Sequence, residues 1–167
     1  REWTQTLATD LGEGYEVFMP AMPNKNNASY EEWKIWFERH FEHLHDGVIV
    51  MGCSLGAMFL SKYLAENSTP FSIKALILMA GYVGEESGAG DVGSFLVQES
   101  SLPKLVDKAE SIVILHSKDD FVVPYEHALK YKSALPEATL HTFEDKNHFL
   151  VEELPELLDL IRDLSKT

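Results

Sequence analysis

The segment with the clearest chemical potential is Gly52-Cys53-Ser54-Leu55-Gly56, which directly follows the apolar run 48–51. When a strand turns sharply into a helix, the central serine of a Gly-x-Ser-x-Gly sequence is presented at the edge of a sheet. A Cβ atom at either glycine is expected to collide with the neighbouring strand or helix. Residues 57–64 have the apolar spacing of the helix that this turn requires. Ser54 is therefore a candidate nucleophile, and a serine that merely caps an ordinary helix is the alternative.

A base and an orienting acid follow in the chain, as a nucleophilic serine requires. The strand-like run 111–116 leads into an acidic loop that contains Asp120, and the run 139–143 leads into a loop with His148. Because the carboxyl ends of parallel strands share one edge of a sheet, both side chains are expected beside Ser54. The order serine, aspartate, histidine is that of α/β-hydrolases and differs from the orders in chymotrypsin-like and subtilisin-like enzymes.

The chain resembles the small serine hydrolases of the retinoblastoma-binding-protein type, a compact branch of the α/β-hydrolase fold. The stretches that carry the resemblance cover most of its length: 19–23, Trp33, 52–57, 117–120 with Pro124, and 147–149. The resemblance assigns Ser54 as the nucleophile, Asp120 as the orienting acid and His148 as the base. Asp119, the preceding residue, stays open as a substitute for the acid.

The resemblance implies hydrolysis of a carboxylic ester, thioester or amide in a small-molecule acyl substrate. Ser54 would form an acyl-enzyme that water then releases, with no metal and no cofactor. The backbone N–H of Leu55, directly after the nucleophile, is expected to stabilise the developing oxyanion.

The elements that must position these residues alternate between strand and helix along the chain. Predicted strands cover 15–18, 48–51, 73–80, 111–116 and 139–143. Predicted helices cover 29–44, where Ser29 and Glu32 form a capping box, and 150–164, where Pro155 could start a second helix. This alternation predicts an α/β protein, a three-layer α/β/α sandwich with a mostly parallel sheet. It corresponds to a minimal α/β-hydrolase fold without a cap domain.

One element of the family pattern is expected upstream. Proteins of this type begin with an apolar strand and a glycine-rich oxyanion loop before a tryptophan-containing helix, whereas this chain opens on Arg1-Glu2-Trp3-Thr4, inside that helix. The resemblance therefore implies a single domain over 1–167 that lacks its first strand and oxyanion loop. The missing strand would lie between the strand at 15–18 and the strand before Ser54, where its absence would leave backbone groups unpaired.

The segment 81–102 is rich in glycine and serine, which predicts a mobile loop over the site with a short helix near 95–97. Tyr82, Phe95 and Phe121 are candidates for lining the acyl pocket. For each of the three, packing in the core is the alternative.

Composition limits the classes of partner. With 167 residues, 45% of them apolar, the chain suits one domain, and no apolar stretch is long enough to cross a bilayer. The net charge of −13 disfavours nucleic acid and anionic membranes as partners. Cys53 is the single cysteine, which is compatible with a reducing cytoplasm, the expected location. His40, His43 and His45 are spaced like metal ligands, but no acidic or thiolate partner is placed with them, so no metal site is predicted.

Two classes of function follow from the sequence. The first is a small cytoplasmic serine hydrolase, and the alternative is a non-catalytic module that binds a protein partner on a hydrolase scaffold. An acyltransferase would use the same residues with an acceptor other than water. The substrate and the oligomeric state are left open by the sequence.

Overall fold

The structure is a computed structural model that describes residues 2–84 and 93–166. Its strands are β1 (Val48–Cys53), β2 (Ile73–Met79), β3 (Ser111–Ser117) and β4 (Thr139–Phe143). Its α-helices are α1 (Trp3–Leu11), α2 (Tyr30–Arg39), α3 (Leu55–Glu66), α4 (Glu126–Ala134) and α5 (Pro155–Lys166). Shorter 3-10 segments cover Phe41–His43, Gly93–Phe95 and Glu99–Lys108. In the described ranges, no helix has the length and apolarity that crossing a membrane demands.

The four strands form one parallel sheet in the order β1-β2-β3-β4. Alternate residues of β2 belong to two different apolar clusters. Leu76 and Leu78 lie in the cluster that includes buried residues of α2, α3 and α4. Ile77 and Met79 lie in the cluster that includes buried residues of α1 and α5. A strand buried in this way needs continuous apolarity, which is why the run 73–80 is apolar almost throughout. The predicted three-layer α/β fold is confirmed. Because all four strands run the same way, their carboxyl ends meet at one edge.

The strand predicted at 15–18 is wrong, since the described structure has no β-pairing there. A strand exists only when a neighbour accepts and donates its backbone hydrogen bonds, and that requirement is invisible in a local pattern. A groove of about 860 Å³ lies beside this segment, and Val17, Phe18, Val48 and Val50 are among its lining residues. The expectation that an upstream strand belongs in this position stays a prediction.

The helix predicted over 29–44 is shorter than expected and is capped differently. It ends at Arg39, and a 3-10 turn follows at Phe41–His43. The capping box is wrong, because the Ser29 hydroxyl makes no capping hydrogen bond and Glu32 Oε2 instead accepts a hydrogen bond from Asn24 at 2.6 Å. At the other end of the chain, the prediction of a helix over 150–164 is wrong for residues 150–154, which are not helical. Pro155 is the first residue of α5, as predicted.

The described parts of the segment 81–102 are packed, which differs from the mobile loop that was predicted. Val97 and Leu102 are buried, and Gly84 donates its N–H to the Val97 carbonyl at 2.8 Å. The 3-10 turn at Gly93–Phe95 lies close to the short helix predicted near 95–97. Residues 85–92 lie outside the described part of the chain, so the predicted loop is not described at its centre.

Candidate active site

Ser54 occupies the sharp turn between β1 and α3. Its backbone has φ 56° and ψ −118°, a conformation that residues with a Cβ atom rarely adopt. The backbone N–H of Ser54 stabilises the turn by donating to the Met79 carbonyl of the neighbouring strand at 2.8 Å. Strained backbone of this kind persists only where the surrounding structure determines it, and it concentrates at functional sites.

The two glycines of the turn differ in the reason for their presence. A Cβ atom on Gly52 would lie 2.3 Å from the Gly56 carbonyl oxygen, so no other residue fits there. The expectation that Gly56 is constrained in the same way is wrong, because a Cβ atom on Gly56 would have no atom within 4 Å. Gly56 instead borders the groove beside β1.

His148 connects the other two predicted residues. Its Nε2 lies 2.9 Å from Ser54 Oγ, and its Nδ1 lies 2.8 Å from Asp120 Oδ2. A carboxylate only accepts hydrogen bonds, so Nδ1 carries the proton and the unprotonated Nε2 accepts the hydrogen bond of the serine hydroxyl. In this tautomer the imidazole can accept a proton from Ser54.

Asp120 is held as a carboxylate by its surroundings. Its Oδ1 accepts the amide N–H groups of Val122 and Val123, each at 2.8 Å, and its side chain is fully buried. Burial alone would raise the pKa of Asp120, but the hydrogen bonds from His148, Val123 and Val122 outweigh it and hold the pKa below its usual range. A negative charge is therefore maintained next to the imidazole.

Asp119, the alternative acid, is hydrogen-bonded to Ser117 and Asn147. Its Oδ1 accepts hydrogen bonds from the Ser117 hydroxyl at 2.5 Å and from the Asn147 amide at 2.9 Å. The structure therefore brings Asp120, rather than Asp119, to the His148 ring.

His116 is a second histidine that lies next to the Asp120 carboxylate. Its Nε2 donates to the Val123 carbonyl at 2.8 Å and lies 3.6 Å from Asp120 Oδ2. Burial lowers the pKa of His116, although the Val123 carbonyl and the Asp120 charge oppose this effect. Burial therefore favours the neutral form of the His116 imidazole beside the acid loop.

Leu55 is the first residue of α3. Amide N–H groups in the first turn of a helix have no carbonyl acceptor within that helix, and the helix dipole makes this end electropositive. The N–H of Leu55, next to Ser54, is therefore suited to an anionic oxygen.

The three aromatic candidates for an acyl pocket lie in different surroundings. Tyr82 is 2% exposed and stacks on His127 with ring centroids 4.0 Å apart. Phe95 is 1% exposed and packs edge-on against Trp33. Both rings belong to the core, so a role in lining a pocket is not supported by their positions. Phe121, next to Asp120, is 71% exposed and is free to contact a ligand.

Two of the histidines with metal-like spacing, His40 and His43, lie against an aromatic ring. No group of three or more histidine, cysteine, aspartate or glutamate residues in the described ranges could hold an ion. His40 Nδ1 lies 2.7 Å from the Trp36 carbonyl, and the rings of His40 and His43 each lie 5.2 Å from the Phe18 ring. His40 and His43 therefore belong to a ring cluster that includes Phe18.

Sequence reasoning assigned no role to Ser117 and considered Asp119 only as a substitute for the acid. In the structure, both residues join the acid loop to the His148 loop. Lys146 donates its amide to the Ser117 hydroxyl at 2.9 Å, in the same way that Asn147 donates to Asp119. The one feature of the sequence that indicates an unusual backbone in the His148 loop is Asn147. Asparagine tolerates left-handed backbone, and Asn147 has φ 50°.

Comparison with known proteins agrees with this geometry. A family model described as serine hydrolase matches residues 1–160. The YdeN protein of Bacillus subtilis is 21% identical over 154 residues, which are 92% of this chain and 80% of that protein. Serine hydrolase RBBP9 of Rattus norvegicus is 23% identical over 152 residues, which are 90% of this chain and 78% of that protein. The crystal structure of the ydeN gene product from B. subtilis has a TM-score of 0.82 at 20% identity and covers 98% of this chain and 88% of that one.

Proposed function

The chain belongs to the serine hydrolase family, and from this premise we propose that it cleaves a carboxylic ester, thioester or amide through an acyl-enzyme on Ser54. The observation that carries the proposal is the His148 ring, which contacts Ser54 Oγ at 2.9 Å and Asp120 Oδ2 at 2.8 Å. These three residues are the proposed catalytic residues.

In the first half of the reaction, Ser54 Oγ attacks the carbonyl carbon while His148 Nε2 takes the hydroxyl proton. The bond from Oγ to carbon forms, and the electron pair of the carbonyl bond moves to its oxygen. When this intermediate collapses, the bond to the leaving alcohol, thiol or amine breaks, and His148 delivers the proton to it. The product of this half is an ester of Ser54.

In the second half, water attacks the same carbon and His148 takes a proton from it. The bond to Ser54 Oγ then breaks, Oγ regains its proton from His148, and a carboxylic acid leaves. The Asp120 carboxylate stabilises the positively charged imidazole in both halves, because it is held at 2.8 Å from Nδ1.

The Leu55 amide is the proposed donor to the oxyanion, since it follows the nucleophile and opens α3. A second donor from an upstream loop, which the family resemblance implies, stays a prediction. Phe121 is the aromatic candidate that remains available for the acyl group, because it is exposed beside Asp120. A small acyl compound as substrate and a cytoplasmic location are parts of the same proposal.

The test is the time course of nitrophenol release from p-nitrophenyl acetate under conditions that reveal a burst. An acyl-enzyme that forms faster than it is hydrolysed gives a burst equal to the concentration of sites. Ser54→Ala should abolish both the burst and the steady rate. Ser100→Ala, at an exposed serine, is the matched control and should behave as the wild type.

Equal rates in wild type and Ser54→Ala would refute the nucleophile. A folded wild type that hydrolyses no ester, thioester or amide would favour the alternative, a protein-binding module.

A further inference from the structure

We propose that Ser117 and Asp119 are positioning residues that hold the His148 loop in its reactive conformation. The inference rests on the proposed function, in which His148 is the base. Neither residue contacts the His148 ring in the described contacts, so their effect would act through the loop backbone. We refer to Ser117 and Asp119, with the hydrogen bonds they make to residues 146 and 147, as the clasp.

The His148 loop requires restraint because of its backbone. His148 lies between Asn147 with φ 50° and Phe149 with φ 53°. Asparagine tolerates left-handed backbone, but this conformation is strongly disfavoured for a bulky residue such as phenylalanine. A loop that places Phe149 in this conformation would relax unless its neighbours held it.

The clasp supplies that restraint on the side that precedes His148. Ser117 ends β3, is fully buried, and accepts the Lys146 amide at 2.9 Å. Asp119 accepts the Asn147 amide at 2.9 Å with the same oxygen that accepts the Ser117 hydroxyl. Two consecutive amides before the base are thus fixed to the loop that carries its acid. On the following side, the Phe149 carbonyl accepts Trp3 Nε1 at 3.1 Å.

The two adjacent aspartates, Asp119 and Asp120, therefore have different roles. Asp120 contacts the imidazole, whereas Asp119 contacts the backbone of the residue before it. The clasp joins the loop of the base, His148, to the loop of the acid, Asp120. A small change in the clasp would therefore shift the His148 loop and alter the distance from His148 to Ser54. Misplacement of a reacting group by about 1 Å can cost about 100-fold in rate.

The test compares Asp119→Ala, Asp119→Asn and Ser117→Ala for hydrolysis of p-nitrophenyl acetate and for amide hydrogen exchange at residues 146 and 147. We expect Asp119→Ala to lower kcat about 10- to 100-fold with little change in KM. Asp119→Asn should recover most of that rate, because its amide oxygen still accepts the Asn147 N–H. Exchange should accelerate at Asn147 in Asp119→Ala and at Lys146 in Ser117→Ala. Asp145→Ala, which removes an exposed charge from the same loop, is the control and should leave kcat and the exchange at Asn147 unchanged.

Wild-type kcat and wild-type exchange in both alanine variants would overturn the proposal. Asp119→Asn as impaired as Asp119→Ala would also overturn it, because the charge and not the hydrogen bond would then matter. A wild type without turnover, but with the expected exchange in the variants, would refute the proposed function and support the clasp.

Discussion

The two carboxylate oxygens of Asp120 have separate partners, and this separation makes the tautomer of His148 testable. Oδ1 accepts two backbone amides and Oδ2 accepts Nδ1–H of His148. In Asp120→Asn the amide oxygen would keep the two backbone donors, so the NH₂ group would face Nδ1. Nδ1 would then have to accept, and Nε2 would carry a proton toward Ser54.

We therefore expect Asp120→Asn to lower kcat about 10⁴-fold, as the wrong tautomer does in serine proteases. The variant should still unfold cooperatively, with a modestly lower melting temperature, since the side-chain shape and its two backbone hydrogen bonds are kept while the stabilising charge is lost. Steady-state kinetics and thermal unfolding of the same preparation provide the measurement. A variant that keeps most of its kcat would contradict the assigned tautomer.

At the scale of the elements, the turn from β1 to α3 predicts opposite outcomes for its two glycines. Gly52→Ala should cost about 1 to 3 kcal/mol or more of unfolding free energy, because the new methyl group collides with backbone at Gly56. Gly56→Ala should be neutral or stabilising by up to about 1 kcal/mol, because its methyl group meets open space and alanine favours a helix. Urea denaturation of both variants measures the difference. Equal destabilisation by the two substitutions would show that the turn is packed differently.

Some parts of this structure can be predicted from local sequence patterns, and others cannot. Strands β1 to β4 were predicted because continuous or β-branched apolarity is a local signal, and Ser54, Asp120 and His148 followed from the position of each after a strand. The strand at 15–18 failed because pairing depends on a neighbour that no local pattern reveals. The predicted capping box is absent because Glu32 accepts a hydrogen bond from Asn24, eight residues earlier, and the capping pattern covers only residues 29 to 32.

The clasp could not be predicted from the sequence for the same reason that the strand at 15–18 was predicted wrongly. Both depend on tertiary contacts that no local pattern reveals. The hydrogen bonds of the clasp join residues 28 or 29 positions apart, so they exist only after β3 and β4 have paired and brought the two loops together.

At the scale of the whole molecule, the buried His116 links stability to pH. Because burial lowers its pKa below the usual 6.5, the unfolded chain binds a proton that the folded chain resists. Stability contributed by neutral His116 is therefore complete above about pH 6.5 and decreases as the pH falls below that value. Asp120, Glu126 and His148 are the charged or titratable groups that also act on this ring.

Asp120 contributes in a different range. Its folded pKa lies below the usual 3.8, so its contribution is present above that value and is lost as the pH falls through the folded pKa. Between pH 7.5 and 5.5, the pH dependence should therefore reflect histidine rather than this carboxylate.

We expect His116→Gln, which keeps a donor toward the Val123 carbonyl, to lose less unfolding free energy than the wild type between pH 7.5 and 5.5. Urea unfolding at several pH values measures this slope. His43→Gln, at a half-exposed site, is the control and should keep the wild-type slope. An unchanged slope in His116→Gln would show that His116 does not contribute to the acid sensitivity.

The most direct test of the central claim, that Ser54 is an activated nucleophile, is covalent labelling with a fluorophosphonate probe and location of the adduct by peptide mass spectrometry. We predict one adduct on Ser54 in the wild type and in Ser100→Ala, and none in Ser54→Ala. A folded wild type that forms no adduct, or forms it on another residue, would contradict the account.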